Sequence, residues 1–418
     1  MSLKRNRWLT LVAIITVLML VAGMMGCTQS SDISDGNEGG GDGGDEQLPP
    51  IKIGIVTDTS GILQNYGNES IRGFRLGIKY ATNGTNKVLG RDIEIIIEDD
   101  GGSNPEIGRE KAIKLVEQDQ VDFLFGTASS GVALQIIPLA EQYQKIFMVD
   151  PAAADQITGQ AFSSYVFRTG SNVSQDALAG AKYAAANLGE TFIHLAPDYS
   201  WGHDSAAAWN GIIEDDGGSI IDPIFVPADC KDFTPYLQRV LDSGADCLVI
   251  SWAGAGGVQL FQQIAEQGVL DEMNVTTGVG DIPALKAMGF STVGMVGMTK
   301  YYHTLPDNEV NDWFVEHYKE EYDGAVPDLF TPGGFSAAVA LIKGIETAQS
   351  IAADDLIPVM EGMSFETPKG TMTFRAEDHQ ALQPMYIVEL KEVDGIDYPV
   401  PTILEEMSAE ETAPPVKK

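Results

Sequence analysis

The chain has 418 residues, 44% of them apolar, with 45 Gly, 20 Pro and a formal net charge of −34. That length exceeds one ordinary hydrophobic core and suits two lobes with tails. A surface this acidic repels nucleic acid and anionic headgroups, so no nucleic-acid partner is expected.

The first segment reads as an address rather than as part of a fold. Lys4, Arg5 and Arg7 precede an apolar run from Leu9 to Leu20, and small or apolar residues lead into Gly26-Cys27. Such a run is shorter than a membrane span, and residues 1–26 are expected to be a signal peptide. Met24-Met25-Gly26-Cys27 resembles a bacterial lipobox, with Met24 where Leu is usual; this implies cleavage before Cys27 and lipidation of its thiol. Residues 28–50 are rich in Ser, Gly and Asp and close on Pro49-Pro50, too polar to offset chain entropy, so residues 27–50 read as a lipidated Cys on a flexible acidic linker. The other cysteines, Cys230 and Cys247, flank strands at opposite ends of a doubly wound sheet and are expected to be ordinary thiols.

From Ile51 the pattern is strand, loop, helix, repeated. The predicted elements are strand Ile51–Thr57, helix 67–81, strand Ile93–Ile97, helix Pro105–Gln118, strand Val121–Phe125, helix 130–143 and strand Ile146–Val149. The pattern restarts with helix 174–187, strand Phe192–Ala196, helix 201–214, strand Ser219–Val226, helix 232–242, strand Cys247–Ser251 and helix 256–267. A short strand near Val275, helix 282–288 and apolar Val293–Met298 lead to Lys300-Tyr301-Tyr302. Helices at 308–322 and 334–349 follow, then strands Gly370–Phe374 and Met385–Leu390, and a Glu/Pro-rich tail after about residue 401 that should fray. Apolar runs alternating with amphipathic helices make this an α/β protein of two doubly wound parallel-sheet lobes.

Ligands of such sheets bind beyond the carboxyl ends of the strands. Gly126-Thr127-Ala128-Ser129-Ser130-Gly131 ends a strand and opens a helix. Free N–H groups there, with the hydroxyls of Ser129 and Ser130, form a seat for a carboxylate; the competing expectation is a serine that only caps its own helix. At Ala152, Ala153 and Ala154 small side chains leave room for backbone carbonyls to face a ligand ammonium; the competing expectation is a plain surface turn with a solvated Asp155. Tyr66, Trp201 and Trp252 stand at strand ends, where an aromatic ring closes over a ligand or packs into the lobe surface. Asp281 offers a second carboxylate or caps the helix after it. No phosphate loop, His-Glu-x-x-His or Gly-x-Ser-x-Gly is present, and the five His show no metal spacing, so neither an enzyme nor a metal or cofactor is expected.

Ile51-Lys52-Ile53-Gly54-Ile55, Ser60-Gly61, Tyr66-Gly67, Leu89-Gly90-Arg91-Asp92-Ile93-Glu94 and Glu98-Asp99-Asp100 together resemble the opening of leucine/isoleucine/valine-type solute-binding proteins. Lys114-Leu115-Val116, Pro151-Ala152-Ala153, Phe167-Arg168-Thr169, Asp198-Tyr199-Ser200-Trp201-Gly202 and Asp232-Phe233-Thr234 continue it in order over roughly residues 51–390. The resemblance implies a type I periplasmic-binding-protein fold with three crossovers, near residues 168, 300 and 350. Lobe one would comprise 51–168 plus 301–350, lobe two 169–300 plus 351–400, and 401–418 the tail. It also implies capture of a small amino-acid-like, amide or carboxylate solute by hinge closure, with ABC permease and ATPase subunits as partners. Localisation would be extracytoplasmic, at the outer face of the cell membrane through Cys27. The alternative is a sensing module without transport. By resemblance Tyr66, Ser130, Ala152 and Ala154 sit on ligand-contact positions, and Trp201 replaces a Tyr. The family's usual Thr is Ala154 here, and its acidic grip on an α-ammonium has Asp281 as the nearest substitute.

Overall fold

The computed structural model describes residues 48–252 and 256–418. The signal segment, Cys27 and the linker to residue 47 lie outside the described residues. Strands β1 (Ile51–Thr57), β2 (Lys87–Val88), β3 (Arg91–Asp99), β4 (Phe123–Gly126), β5 (Phe147–Val149) and β6 (Val166–Arg168) form one sheet in the order β2-β3-β1-β4-β5-β6. All but the short β2 run parallel, with Ile53 opposite both Ile95 and Phe123. Both faces are covered, which is why β1 reads as a continuous apolar run. Ile53, Phe123, Phe125, Met148 and Phe167 pack with Phe74 and Phe335, on helices Gln64–Ala81 and Thr331–Ala348. Val56, Leu124, Phe147 and Val149 pack with Leu115 and Ile136, on helices Pro105–Glu117 and Ser130–Tyr143. The first helix pair crosses on glycines: a Cβ at Gly73 would strike the Thr331 carbonyl, and one at Gly334 the Ser70 carbonyl.

The second lobe is built on β7 (Thr191–Pro197), β8 (Ser219–Val226), β9 (Cys247–Ile250) and β10 (Asn274–Thr277), parallel in the order β10-β9-β7-β8. Beyond β10, a single bridge from Gly278 to Met298 joins β11 (Val296–Thr299). The short antiparallel sheet β12 (Ser364–Thr367), β13 (Gly370–Phe374) and β14 (Ala381–Leu382) comes next in the chain, then β15 (Met385–Lys391) and β16 (Val400–Met407), which pair antiparallel with β11 in the order β11-β15-β16.

Two expectations about chain segments are corrected. Residues 351–382, assigned to lobe two, belong to lobe one: Leu356, Met360, Phe365, Met372, Phe374 and Ala381 share the core of Phe74 and Phe335. Helix Ala353–Met360 follows Thr331–Ala348 after a four-residue link, too short to cross to the other lobe, so the third crossover falls at residues 382–385 rather than near 350. Residues 401–418 do not fray. Pairing of β16 with β15 runs from Val400 to Met407, and the buried Thr412 hydroxyl donates to the Gln383 carbonyl at 2.9 Å. As an edge strand, β16 turns Glu405 and Glu406 to solvent, which gives it the composition of a tail. Cys230 and Cys247 are unpaired thiols, the latter buried.

Candidate ligand-binding cleft

The carboxyl ends of β1, β4 and β5 in lobe one face those of β7, β9 and β10 in lobe two. Between them lie two cavities, of about 340 and about 130 Å³, that share Tyr66, Asp176, Trp201, Lys300 and Phe330. The larger is completed by Leu63, Ala128–Gly131, Pro151, Ala153 and Tyr199, and the smaller by Ser205, Trp209, Ile250–Trp252, Thr277–Gly280, Met298, Thr299 and Leu329.

Gly126 turns the chain out of β4 at a φ of 133°, where a Cβ would strike the Val56 carbonyl, and this backbone places Ser129 and Ser130 on the cavity wall. Ser129 is the residue before helix Ser130–Tyr143, yet no side chain caps that helix. The expectation of a serine that serves only its own helix is therefore not met. The Ser130 hydroxyl oxygen accepts from Ala154 N–H at 3.1 Å, tying this helix to the following loop.

That loop is used differently from the expectation. Ala153 lines the larger cavity, but Ala152 and Ala154 are buried behind it. The fully buried Arg168 guanidinium donates to the Ala154 carbonyl at 2.6 Å and to the Ala152 carbonyl at 3.5 Å, and Val173 N–H donates to the Ala153 carbonyl at 2.9 Å. These carbonyls hold the loop rather than face a ligand ammonium. Asp281 caps helix Ile282–Met288 by accepting from Ala284 N–H at 3.0 Å, and the Gly278–Gly280 backbone lines the cavity in its place. Tyr66 and Trp201 line both cavities, and Trp252 lines the smaller.

The charged pair of the cleft was not found from the sequence. Lys300 on the second crossover sits 3.0 Å from Asp176 on helix Val173–Asn187, with its ammonium 5.7 Å from the Phe330 ring centre. Among the described lining residues these are the only cation and the only anion. The signal available was Lys300-Tyr301-Tyr302 immediately after an apolar segment; nothing local marked Asp176. Tyr66 packs on Phe330 with ring centres 4.2 Å apart, and Tyr199 stacks on Trp201 at 6.0 Å, so the walls are flat and aromatic.

Behind the cleft the crossovers are wired by buried polar groups. Asp150 accepts from the Ser70 hydroxyl at 2.6 Å, and burial pushes its carboxyl up to about 6. Lys369 donates to Gln383, and burial pulls its ammonium down to about 8. Across the lobes, the Asp328 carboxylate accepts from Ile282 N–H at 2.9 and 3.1 Å. Burial, with Asp281 nearby, raises Asp328 to about 7, and Glu69, which accepts from Phe330 N–H, is raised chiefly by burial.

Residues 50–395 match the family model described as periplasmic binding protein. The chain belongs to the periplasmic binding protein family. It is similar to the Leu/Ile/Val-binding protein homolog 6 of Brucella melitensis biotype 1, at 26% identity, over 83% of this chain and 89% of that one. Among solved structures, an ABC-type branched-chain amino acid transporter protein from Rhodopseudomonas palustris is 37% identical, covering 88% of this chain and 99% of that chain, at a TM-score of 0.78. A solute-binding protein of an ABC transporter from the same species, solved in complex with 3,4-dihydroxy benzoic acid, is 28% identical, covering 86% and 98%, also at 0.78. The chain is therefore an extracytoplasmic solute-binding protein of the ABC-importer kind with the type I fold, a family of binding proteins rather than enzymes.

Proposed function

We propose that this binding protein captures a small carboxylate with a flat, largely apolar body. The carboxylate is received by the uncapped helix start at Ser129–Ser130 and by Lys300. The body lies between Tyr66, Phe330, Tyr199 and Trp201, and closure of the lobes brings Trp252 over it. The observation that carries this reading is the shared waist of the two cavities, where Lys300 is the one cation among the described lining residues and stands beside aromatic walls. A helix N-terminus and an ammonium both favour an anion, and aromatic faces favour a planar solute. The dihydroxybenzoic acid bound by a relative 28% identical to this chain supports the same class. Lipidation of Cys27 anchors the body to the outer face of the membrane, with the acidic linker as its tether.

Isothermal titration of the full-length protein, freed of co-purified solute by unfolding and refolding, tests this. Substituted benzoates are expected to bind, and Lys300→Met and Ser130→Ala each to weaken them roughly 10- to 100-fold, the worth of a hydrogen bond to a charged group. Unchanged affinity in both variants would sink the assignment. Tighter binding of aliphatic amino acids would instead make Asp176 an ammonium contact.

A further inference from the structure

The smaller cavity ends on two serines whose protons are already spent. His194, on β7 and fully buried, places Nδ1 3.0 Å from Asn210 Oδ1 and Nε2 2.9 Å from Ser251 Oγ, which is 2.6 Å from Ser205 Oγ. An amide oxygen only accepts, so Nδ1 carries the hydrogen. A neutral imidazole then has only a lone pair at Nε2, and the Ser251 proton must go there. With that proton committed, the short contact between the serines closes only if Ser205 donates to Ser251. Burial holds the imidazole neutral by pulling it down to about 4, so Nε2 does not gain a proton of its own. Ser205 and Ser251 both line the cavity, and what their hydroxyl oxygens have left to offer is lone pairs.

We propose that Ser205 and Ser251 form an acceptor-only end to the cleft, set by Asn210 and His194, which selects solutes carrying a hydroxyl, amine or amide N–H at the end remote from their carboxylate. This rests on the carboxylate reading of the same cleft and adds its second specificity element. A solute presenting an ether or second carboxylate there meets lone pair against lone pair, whereas a donor completes the chain. A buried acceptor left unpaired costs free energy, so the discrimination is expected to reach at least about tenfold.

The test uses three probes on the full-length protein: para-hydroxybenzoate, para-methoxybenzoate and benzoate, titrated calorimetrically. Wild type is expected to prefer the hydroxy acid to both others by at least about tenfold. In Ser205→Ala/Ser251→Ala the preference for the hydroxy acid over both others should collapse to within about threefold. If the three bind equally, the acceptor end is wrong while the carboxylate reading stands; if none binds, the carboxylate reading falls and this inference with it. Nitrogen–proton correlation spectra of the His194 ring give a second readout that needs no ligand and no variant. A hydrogen on Nδ1 is expected, and a hydrogen on Nε2 would overturn the proposal outright.

Discussion

Replacing Arg168 by Met probes how the solute loop is held. The guanidinium donates to Gln380 Oε1 at 2.6 Å, to the Ala154 carbonyl at 2.6 Å, to the Ala152 carbonyl at 3.5 Å and to the Thr158 hydroxyl, with no exposure to solvent. Methionine keeps most of the apolar stem and removes every donor. Thr158 and Gln380 lie 3.3 Å apart and can satisfy one another, so the orphaned acceptors are the two alanine carbonyls. Each buried acceptor without a partner costs about 1–3 kcal/mol. Part of this is offset, because Arg168 is itself held below its usual range, at about 10, by burial. The net destabilisation is expected at about 2–5 kcal/mol. Urea unfolding followed by tryptophan fluorescence reads it as a lower midpoint with an unchanged slope. Because Ala154 N–H donates to Ser130 Oγ, solute affinity should fall in the same variant. A midpoint equivalent to less than about 1 kcal/mol of loss, with solute affinity intact, would refute the view that Arg168 holds the loop.

Asp328 sets a pH dependence. Its folded carboxyl titrates at about 7, above the unfolded value of about 4, so the folded chain holds a proton over the interval between them. Stability from this site is full below about pH 4 and is lost as pH rises through about 7. Asp328→Asn keeps an acceptor for Ile282 N–H, and should gain on wild type as urea midpoints are followed from about pH 5 to about pH 8; a constant offset between the two would contradict the assignment. Two glycines predict opposite signs. Gly334→Ala drives a methyl into the Ser70 carbonyl and should destabilise by about 1–3 kcal/mol or more, whereas Gly211→Ala, in helix Ser200–Asp215 with open space beside it, should stabilise by about 0.5–1 kcal/mol in the same unfolding assay.

Apolar runs alternating with helical periodicity were enough to specify an α/β chain of two lobes, and the strands of both parallel sheets were legible because strands buried on two faces must be apolar throughout. The loops at their carboxyl ends were legible for the same reason: a Gly/Ser turn after a buried strand has few other places to go. Hence Tyr66, Ser129, Ser130, Ala153, Trp201 and Trp252 were named in advance, and all line the cleft. What local pattern does not encode is which partner a side chain meets across long sequence separations. Lys300 and Asp176 are 124 positions apart, and only the crossovers bring them together. Ala152 and Ala154 were right about the loop and wrong about its carbonyls, because the competing donor, Arg168, reaches them from β6. The lobe of residues 351–382 was decided by packing against helix Thr331–Ala348, and β16 by pairing with β15; neither contact leaves a periodic trace in the segment that makes it. The His194–Ser251–Ser205 chain joins one strand, one helix and one strand end, so it exists only in the folded lobe.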